Sequence, residues 1–375
     1  MVLFLSRRKL LIVLIVTAIV LSITISGLYI LFNSKALEEK VLDYQNKFIE
    51  TSRKSIDLTS VHSTINVDEK VVNNSISRFI NYIRELYGVN YSLKKIIFNP
   101  YAKVISVPVY PVSLYNVYVE AIDPRDNSTA SLYVAIEDDR GRVAGFNLPS
   151  LILRNLGECN ITNIRVNRSF LKNLVRELLI SLNYTIDDNV GIELVDVKTM
   201  GFVKIVFAIK IYDALFYDPL TTPRINLVVF DPCTWKPISL SFNPTPIILY
   251  EKGLLKPMKE KINVAEARVI AIDYLKTCIE ARGSSLSQYK ITTVNKTWYY
   301  IDVDEDNVID HLSMGYLFTV EVVETTYKRG FLGIPVEQTR NKYIICIVVD
   351  IETGAPTYYF GDRTWFKGCT SSYVP

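Results

Sequence analysis

The stretch Tyr343–Phe360, YIICIVVDIETGAPTYYF, decides how this chain is built. A β-branched run ends at Asp350, a tight turn follows at Thr353 and Gly354, and an aromatic run leaves it. Asp and Thr side chains bond turn backbone and Gly supplies a positive φ, so the stretch predicts two strands joined by a short acidic turn. Weaker copies end two earlier segments, LYVAIEDDRGRVAGF around Gly141 and INLVVFDPCTWKPISLSF around Asp231. In the first copy Asp139 and Gly141 keep a shortened turn. In the second, Asp231 and Thr234 remain, but Trp235 and Lys236 stand where Gly is expected. A catalytic turn would hardly survive that replacement within one chain, whereas a fold-closing turn could. The turn is therefore expected to be a seam that closes a unit used three times.

Working outward, each turn is preceded by an amphipathic helix. The first runs from about Val71 with Ile76, Phe79, Ile80, Ile83, Leu86 and Tyr87 on one face, and Gly88 caps its end. The second carries Phe170, Leu171, Leu174, Val175, Leu178 and Leu182. The third carries Val264, Ala267, Ala271, Tyr274 and Cys278, opens with Asn263 and Glu266 in a capping-box arrangement, and stops at Gly283. Starts near 74, 167 and 263 are regular enough to indicate duplication. Between helix and turn lie β-rich runs: KVISVPVY near 105, NVYVEAI and SLYVAIED; then GIELVDV, FVKIVFAIKIY and RINLVVFD; then YKITTVN, WYYIDV and YLFTVEVVETTY. A sheet with one apolar face is covered by one helix laid across it. The expected fold class is thus α+β: three tandem two-layer units at 67–150, 151–250 and 251–375, each one helix on an antiparallel meander, behind an N-terminal transmembrane helix.

That transmembrane helix is expected at Leu10–Phe32, an uninterrupted apolar run without a charge. At 1.5 Å per residue it reaches roughly 34 Å, enough for a hydrocarbon core of about 30 Å. A cleaved signal peptide is the competing reading, but its apolar region is usually shorter, and no small-x-small site closely follows. Arg7, Arg8 and Lys9 precede the run, so residues 1–9 are expected in the cytoplasm and everything after Phe32 outside. Residues 33–66 read as a helix with Leu37, Val41, Tyr44 and Phe48 in a narrow stripe, followed by a polar link. Packing on the first unit fits that stripe, as does a stalk or a helix pair.

Sequons begin at Asn73, Asn90, Asn127, Asn160, Asn167, Asn183 and Asn295, all on the expected outer side, as glycan acceptors must be. Five cysteines, at 159, 233, 278, 346 and 369, are compatible with an oxidising compartment but too sparse for a disulfide scaffold. One bridge per unit with one thiol left over competes with Cys278 and Cys346 as small buried hydrophobes. Net charge is +3 with both signs scattered, which gives no electrostatic footprint for nucleic acid.

Helix, strands and a last strand ending in hydrophobic-hydrophobic-Asp-x-x-Thr-Gly resemble the PepSY domain, a cystatin-like module. The match is carried by EARVIAIDYL, Glu266–Leu275, and VVDIETGAP, Val348–Pro356. It covers the last unit, and the earlier two follow it more loosely. The resemblance implies a non-catalytic module outside the membrane that inhibits or modulates proteases or senses the cell envelope.

Three features lie outside that pattern. In DVDEDNVIDHLS, Asp302, Asp304, Asp306 and Asp310 occupy positions one, three, five and nine of a calcium loop. Position twelve is Ser313 instead of a bidentate carboxylate and the flanks look like strands, so an acidic hairpin tip competes with a calcium site. The insertion YKRGFLGIPVEQTR puts Phe331, Leu332 and Ile334 in an apolar tip with basic flanks, either a contact for a protein partner or membrane, or a lid on the third core. Enzyme signatures are poor: His62 and His311 are the only histidines, and no HExxH, GxSxG, Walker or GxGxxG motif occurs. The expected function is a membrane-anchored extracytoplasmic regulatory protein that binds an extracytoplasmic or membrane protein, with no catalytic or cofactor-binding residues beyond the calcium candidates. A structural glycosylated envelope component is the alternative, and an unrecognised extracytoplasmic enzyme a second one.

Overall fold

The computed structural model describes residues 35–58, 69–88, 90–98, 114–122, 127, 129–137, 140–148, 167–199, 201–216, 226–301, 311–329, 335–360 and 363–364. The expected span at 10–32 and the run near 105 lie outside the described residues. The first unit comprises α2 (Glu69–Tyr87) and strands β2 (Ser92–Phe98), β3 (Leu114–Ile122), β4 (Thr129–Glu137) and β5 (Val143–Asn147). Its predecessors are α1, over 35–54, and the two-residue strand β1 (Ile56–Asp57). The second unit comprises α3 (Arg168–Ser181), β6 (Val190–Thr199), β7 (Val203–Ile211), β8 (Ala214–Phe216), β9 (Leu227–Phe230) and β10 (Pro237–Ser241), and a short helix α4 (Thr245–Glu251) follows it. The third comprises α5 (Val264–Ala281), β11 (Ser284–Ile301), β12 (His311–Arg329), β13 (Pro335–Asp350), β14 (Pro356–Phe360) and β15 (Arg363–Thr364).

The helices form where apolar spacing and caps place them. Helix α2 buries Val72, Ile76, Phe79, Ile80 and Ile83. Helix α3 is capped by Asn167, whose Oδ1 accepts from Ser169 N at 2.9 Å, and it buries Leu171, Val175, Leu178 and Leu179. At α5 the capping box is complete: Asn263 Oδ1 accepts from Ala265 N and Glu266 N at 2.9 and 3.0 Å, and Asn263 N donates to Glu266 Oε2 at 3.1 Å. Such a cap contributes about 1 kcal/mol over alanine.

Two corrections to the expected fold class follow. No helix among the described residues is long and apolar enough to cross a membrane. Nor are there three separate meanders, because strands from all three units share one 15-stranded mixed sheet. Strand β5 pairs with β10 through Phe146 and Leu240, joining the first and second units. Strand β8 runs parallel to β11 at Leu215 and Thr297, joining the second and third. Open edges drive this merger, since an isolated meander leaves unpaired N–H and C=O groups along its outer strands. The second joint is reinforced by Trp298, which stacks on Phe216 with ring centroids 5.8 Å apart and donates from Nε1 to Ile211 O at 3.0 Å.

The third unit closes further. YKITTVN and WYYIDV, expected as two strands, are one strand, β11, which pairs with β12 from Ser284–Thr326 to Ile301–His311. Strand β12 pairs with β13, β13 with β14, β14 with β15, and β15 runs parallel to β11 at Tyr300 and Ile301. The five strands therefore form a ring. Tyr299, Ile301, Leu317, Cys346, Val348 and Tyr359 meet in a small apolar cluster with Phe48 of α1, while α5 covers a second cluster built on Phe318, Val320, Val322, Ile347 and Val349. Helix α1 thus packs on the third unit, not on the first, because Tyr44 and Phe48 find their apolar partners there.

Candidate functional site

Among the described residues of the third unit, the acidic turn after β13 is the most densely bonded polar group. Asp350 is 1% exposed. Its Oδ1 accepts from Glu352 N at 3.0 Å, Thr353 N at 2.8 Å and Thr353 Oγ1 at 2.9 Å. Its Oδ2 accepts from Tyr299 OH at 2.8 Å and Ser313 Oγ at 2.6 Å. Both oxygens therefore serve as hydrogen-bond acceptors. Burial, then the charge of Asp350 and its hydrogen bond, push the Tyr299 phenol well above its ordinary value, so it stays a donor. Gly315 makes this reach feasible: a Cβ there would lie 3.1 Å from the Tyr299 ring, 2.6 Å from Val348 Cγ2 and 2.7 Å from Val349 O.

Backbone geometry repeats around the same turn in the second unit. Asp350 N donates to Ala355 O at 3.0 Å and Gly354 N to Asp350 O at 3.0 Å, and Asp231 N donates to Lys236 O and Trp235 N to Asp231 O, both at 2.9 Å. Thr234 N donates to Asp231 Oδ2 at 2.8 Å, and the Thr234 hydroxyl binds the same oxygen. Trp235 takes φ 57° where Gly354 takes 71° and Gly141 takes 66°. The left-handed conformation costs a residue with a Cβ roughly 1–2 kcal/mol. Trp235 offsets part of that by an edge-on contact with Phe170, centroids 5.1 Å apart.

In all three units this turn presses on the start of that unit's own helix. A Cβ on Gly141 would fall 2.1 Å from Ser75 Oγ and 2.7 Å from Val71 Cγ1 of α2. Trp235 meets Phe170 at the first turn of α3. In the third unit Lys261 N and Ile262 N donate to Ile351 O at 2.8 and 2.9 Å, just ahead of α5. Sheet and helix of each unit are joined there, and in the second and third units the carboxylate of the turn, Asp231 or Asp350, is sealed from solvent.

A second polar centre sits between the first and second units. Arg142, its side chain 3% exposed, reaches Glu251 Oε1 at 2.9 Å and lies over the Tyr184 ring at 4.4 Å. Arg140 Nη1 binds Glu251 Oε2 at 2.7 Å, and Thr185 N donates to Oε1 at 3.1 Å. Burial pushes the Glu251 carboxyl up, but Arg142 and Thr185 more than offset this and leave it below its ordinary value. In the third unit Glu324, its side chain 8% exposed, takes bonds from Arg282 at 3.3 Å and Tyr343 OH at 2.7 Å.

Asp302, Asp304, Asp306 and Asp310 lie outside the described residues, as do Phe331, Leu332 and Ile334. The strands flanking the acidic segment pair Ile301 with His311, so residues 302–310 connect a hairpin. Ser313, the twelfth position of the calcium pattern, is 1% exposed and bonded to Asp350. Among the described residues no group of three His, Cys, Asp or Glu is placed to hold a metal. Of the sequons, Asn73, Asn90, Asn127, Asn167 and Asn183 are exposed and Asn295 is half-buried, while Asn160 lies outside the described residues. Cys233 and Cys278 are disulfide-bonded, and Cys346 is a buried thiol 3.9 Å from Thr319 Oγ1. The small-hydrophobe reading therefore holds for Cys346 and fails for Cys278. Tyr299, Ser313 and Thr51, whose hydroxyl lies 2.6 Å from that of Thr353, were missed as parts of the Asp350 network.

Together, fold and site define an α+β chain whose helices pack on one large mixed sheet, with closely related acidic turns at Asp231 and Asp350. No family model matches the chain, and no curated protein matches it. Among solved structures it is similar to the C-terminal domain of YpeB from Bacillus megaterium, at 12% identity, covering 75% of this chain and 100% of that one. The TM-score is 0.35, a likeness too loose to carry a conclusion about fold or function.

Proposed function

We propose that this chain is a membrane-held extracytoplasmic regulatory protein that works by binding, through non-catalytic PepSY-like units. The observation that carries this reading is the sealing of Asp350: the most distinctive turn in the sequence spends all five of its carboxylate bonds on the protein itself. A substrate cannot reach it, and the related turn at Asp231 serves the same closing role with Trp235 in the glycine place. The apolar residues 10–32 hold the protein to the lipid bilayer, residues 1–9 face the cytoplasm and the units face outward. The basic flank before the run and the sequons after it support that orientation.

The partner is an extracytoplasmic or membrane protein, with protease modulation or envelope sensing as the role. What the third unit adds to its siblings makes the contact: the tip with Phe331, Leu332 and Ile334, and the segment with Asp302, Asp304, Asp306 and Asp310, which takes calcium at weak extracellular affinity. A photo-crosslinking residue in place of Leu332, in the full chain in its native membrane, tests this. Covalent capture of a specific extracytoplasmic or membrane protein is expected. Recovery of no partner, from position 332 or from a scan of other exposed positions, would overturn it.

A further inference from the structure

The segment between the N-terminal apolar run and the first unit does not lead directly into that unit. It crosses to the far end of the chain and places one apolar side chain in each of the three clusters: Tyr44 beside α5, Phe48 within the five-strand ring, and Leu58, fully buried, in the large cluster shared by all three units. Lys40 Nζ reaches the Asp273 carboxylate at 3.0 and 3.2 Å, and Tyr44 OH donates to it at 2.7 Å. Thr51 bonds Thr353 of the acidic turn. Strand β1 then pairs Ile56 with Leu312 and Asp57 with His311. This is the edge of β12 that β13 leaves open, because β13 begins to pair with β12 only at Gly315.

The attachment is thin. In α1 only Tyr44, Phe48, Thr51 and Ser52 are buried, and two of those are small and hydroxylated, whereas α5 buries seven residues. The Lys40–Asp273 pair is exposed on both sides, 54% and 44%, where ion pairs hold weakly. Leu42 and Ile49 point to solvent at 55% and 42%. Elements with few buried apolar contacts open before the rest of a fold does.

We infer that residues 35–58 are a releasable strap, and that the slot they fill on β12 is an acceptor for an extended apolar-x-apolar segment of a partner protein. The strap supplies the pattern itself: half-buried Ile56, exposed Asp57 and buried Leu58. Strand addition of this kind draws affinity from main-chain bonds to the open edge and selectivity from pockets for alternate side chains. Because the strap lies between residues 10–32 and the folded body, tension along the chain acts on it before it acts on any unit. The inference rests on the reading of this chain as a protein-binding one.

The test uses the full chain in detergent or nanodiscs and a fluorescent peptide of residues 52–60 as the probe. Tyr44→Ala with Phe48→Ala weakens the strap and leaves its receptor residues unchanged, and Thr51→Cys with Thr353→Cys locks it. The peptide is expected to bind the weakened chain at least ten-fold tighter than the wild type, and the locked chain not at all. Equal binding to all three, or none to the weakened chain, overturns the inference. Hydrogen exchange on the wild type reads the strap without any variant: amides of 35–58 exchanging at least ten-fold faster than those of α5 support it, and equal rates overturn it. Neither readout uses a natural partner, so each stands apart from the capture experiment above.

Discussion

Replacing Asp350 with alanine removes the acceptor for five donors, and their burial sets the cost. Tyr299 and Ser313 are each 1% exposed, so water cannot replace the lost acceptor, and Ser313 Oγ keeps only a long contact to Met258 Sδ at 3.8 Å. An orphaned buried donor costs about 1–3 kcal/mol, so these two account for about 2–6 kcal/mol. Glu352 and Thr353 are half-buried, and water recovers part of what their N–H groups lose. The total is therefore at least about 2–6 kcal/mol, against a total stability of about 5–15 kcal/mol for a domain. Urea unfolding of the full chain would read it as a lower midpoint for the transition of the third unit. Tyr299→Phe removes one donor and keeps the carboxylate, and is expected to cost about 1–2 kcal/mol. Combining the two should cost less than their sum, because both act on one bond. A loss below about 1 kcal/mol for Asp350→Ala would refute the reasoning, since the network would then contribute no net stability.

The remaining expectations concern the sibling turns, the inter-unit pair, the sequons and the acidic segment. Gly354→Ala should cost about 1 kcal/mol for its positive φ alone, since its nearest neighbour would be 3.5 Å from the new Cβ, whereas Gly141→Ala should cost more because of its 2.1 Å approach to Ser75 Oγ; thermal unfolding would rank the two. Glu251→Gln removes the carboxylate charge that the buried Arg142 guanidinium and Arg140 share, and about 3 kcal/mol is expected by denaturant titration. The folded-state pKa of Glu251 is depressed, so its contribution is present above the unfolded carboxylate value of about 4.3 and fades as pH falls through the lower folded value; in Glu251→Gln that part of the acid transition should vanish. The Ser75 hydroxyl donates to Val71 O at 2.8 Å and that of Thr297 to Leu215 O at 2.6 Å, both buried, so glycopeptide mass spectrometry should find Asn73 and Asn295 bare and the exposed Asn127 and Asn183 occupied. Calorimetry with calcium should give heat for the wild type and little for Asp304→Ala; equal heats would remove the metal site.

The local elements were legible because their causes are local. Asn263 and Glu266 marked the start of α5, the 3.6-residue spacing of Ile76, Phe79, Ile80 and Ile83 marked the buried face of α2, and Asp350-x-x-Thr353-Gly354 marked a turn. Joining was not legible. The pairing of β5 with β10, the parallel contact of Leu215 with Thr297 and the closure of β15 on β11 involve short runs whose partners are fixed by which edges remain open after each unit folds. The same limit hid the Asp350 network: Tyr299 and Ser313 look like ordinary strand residues, and only the register that lays Gly315 beneath Tyr299 brings them to the carboxylate. Packing of α1 on the first unit was one of three readings its stripe allowed, beside a stalk and a helix pair. Its stripe matched the third equally well, and nothing in Tyr44 or Phe48 distinguishes the two.

The functional account rests on the units facing outward from a membrane. Labelling of intact cells with a membrane-impermeant amine reagent, followed by peptide mapping, tests that most directly. Lys172 and Lys276, with side chains 48% and 60% exposed, should be modified while Lys9 is not. Modification of Lys9 together with protection of Lys172 and Lys276 would contradict it.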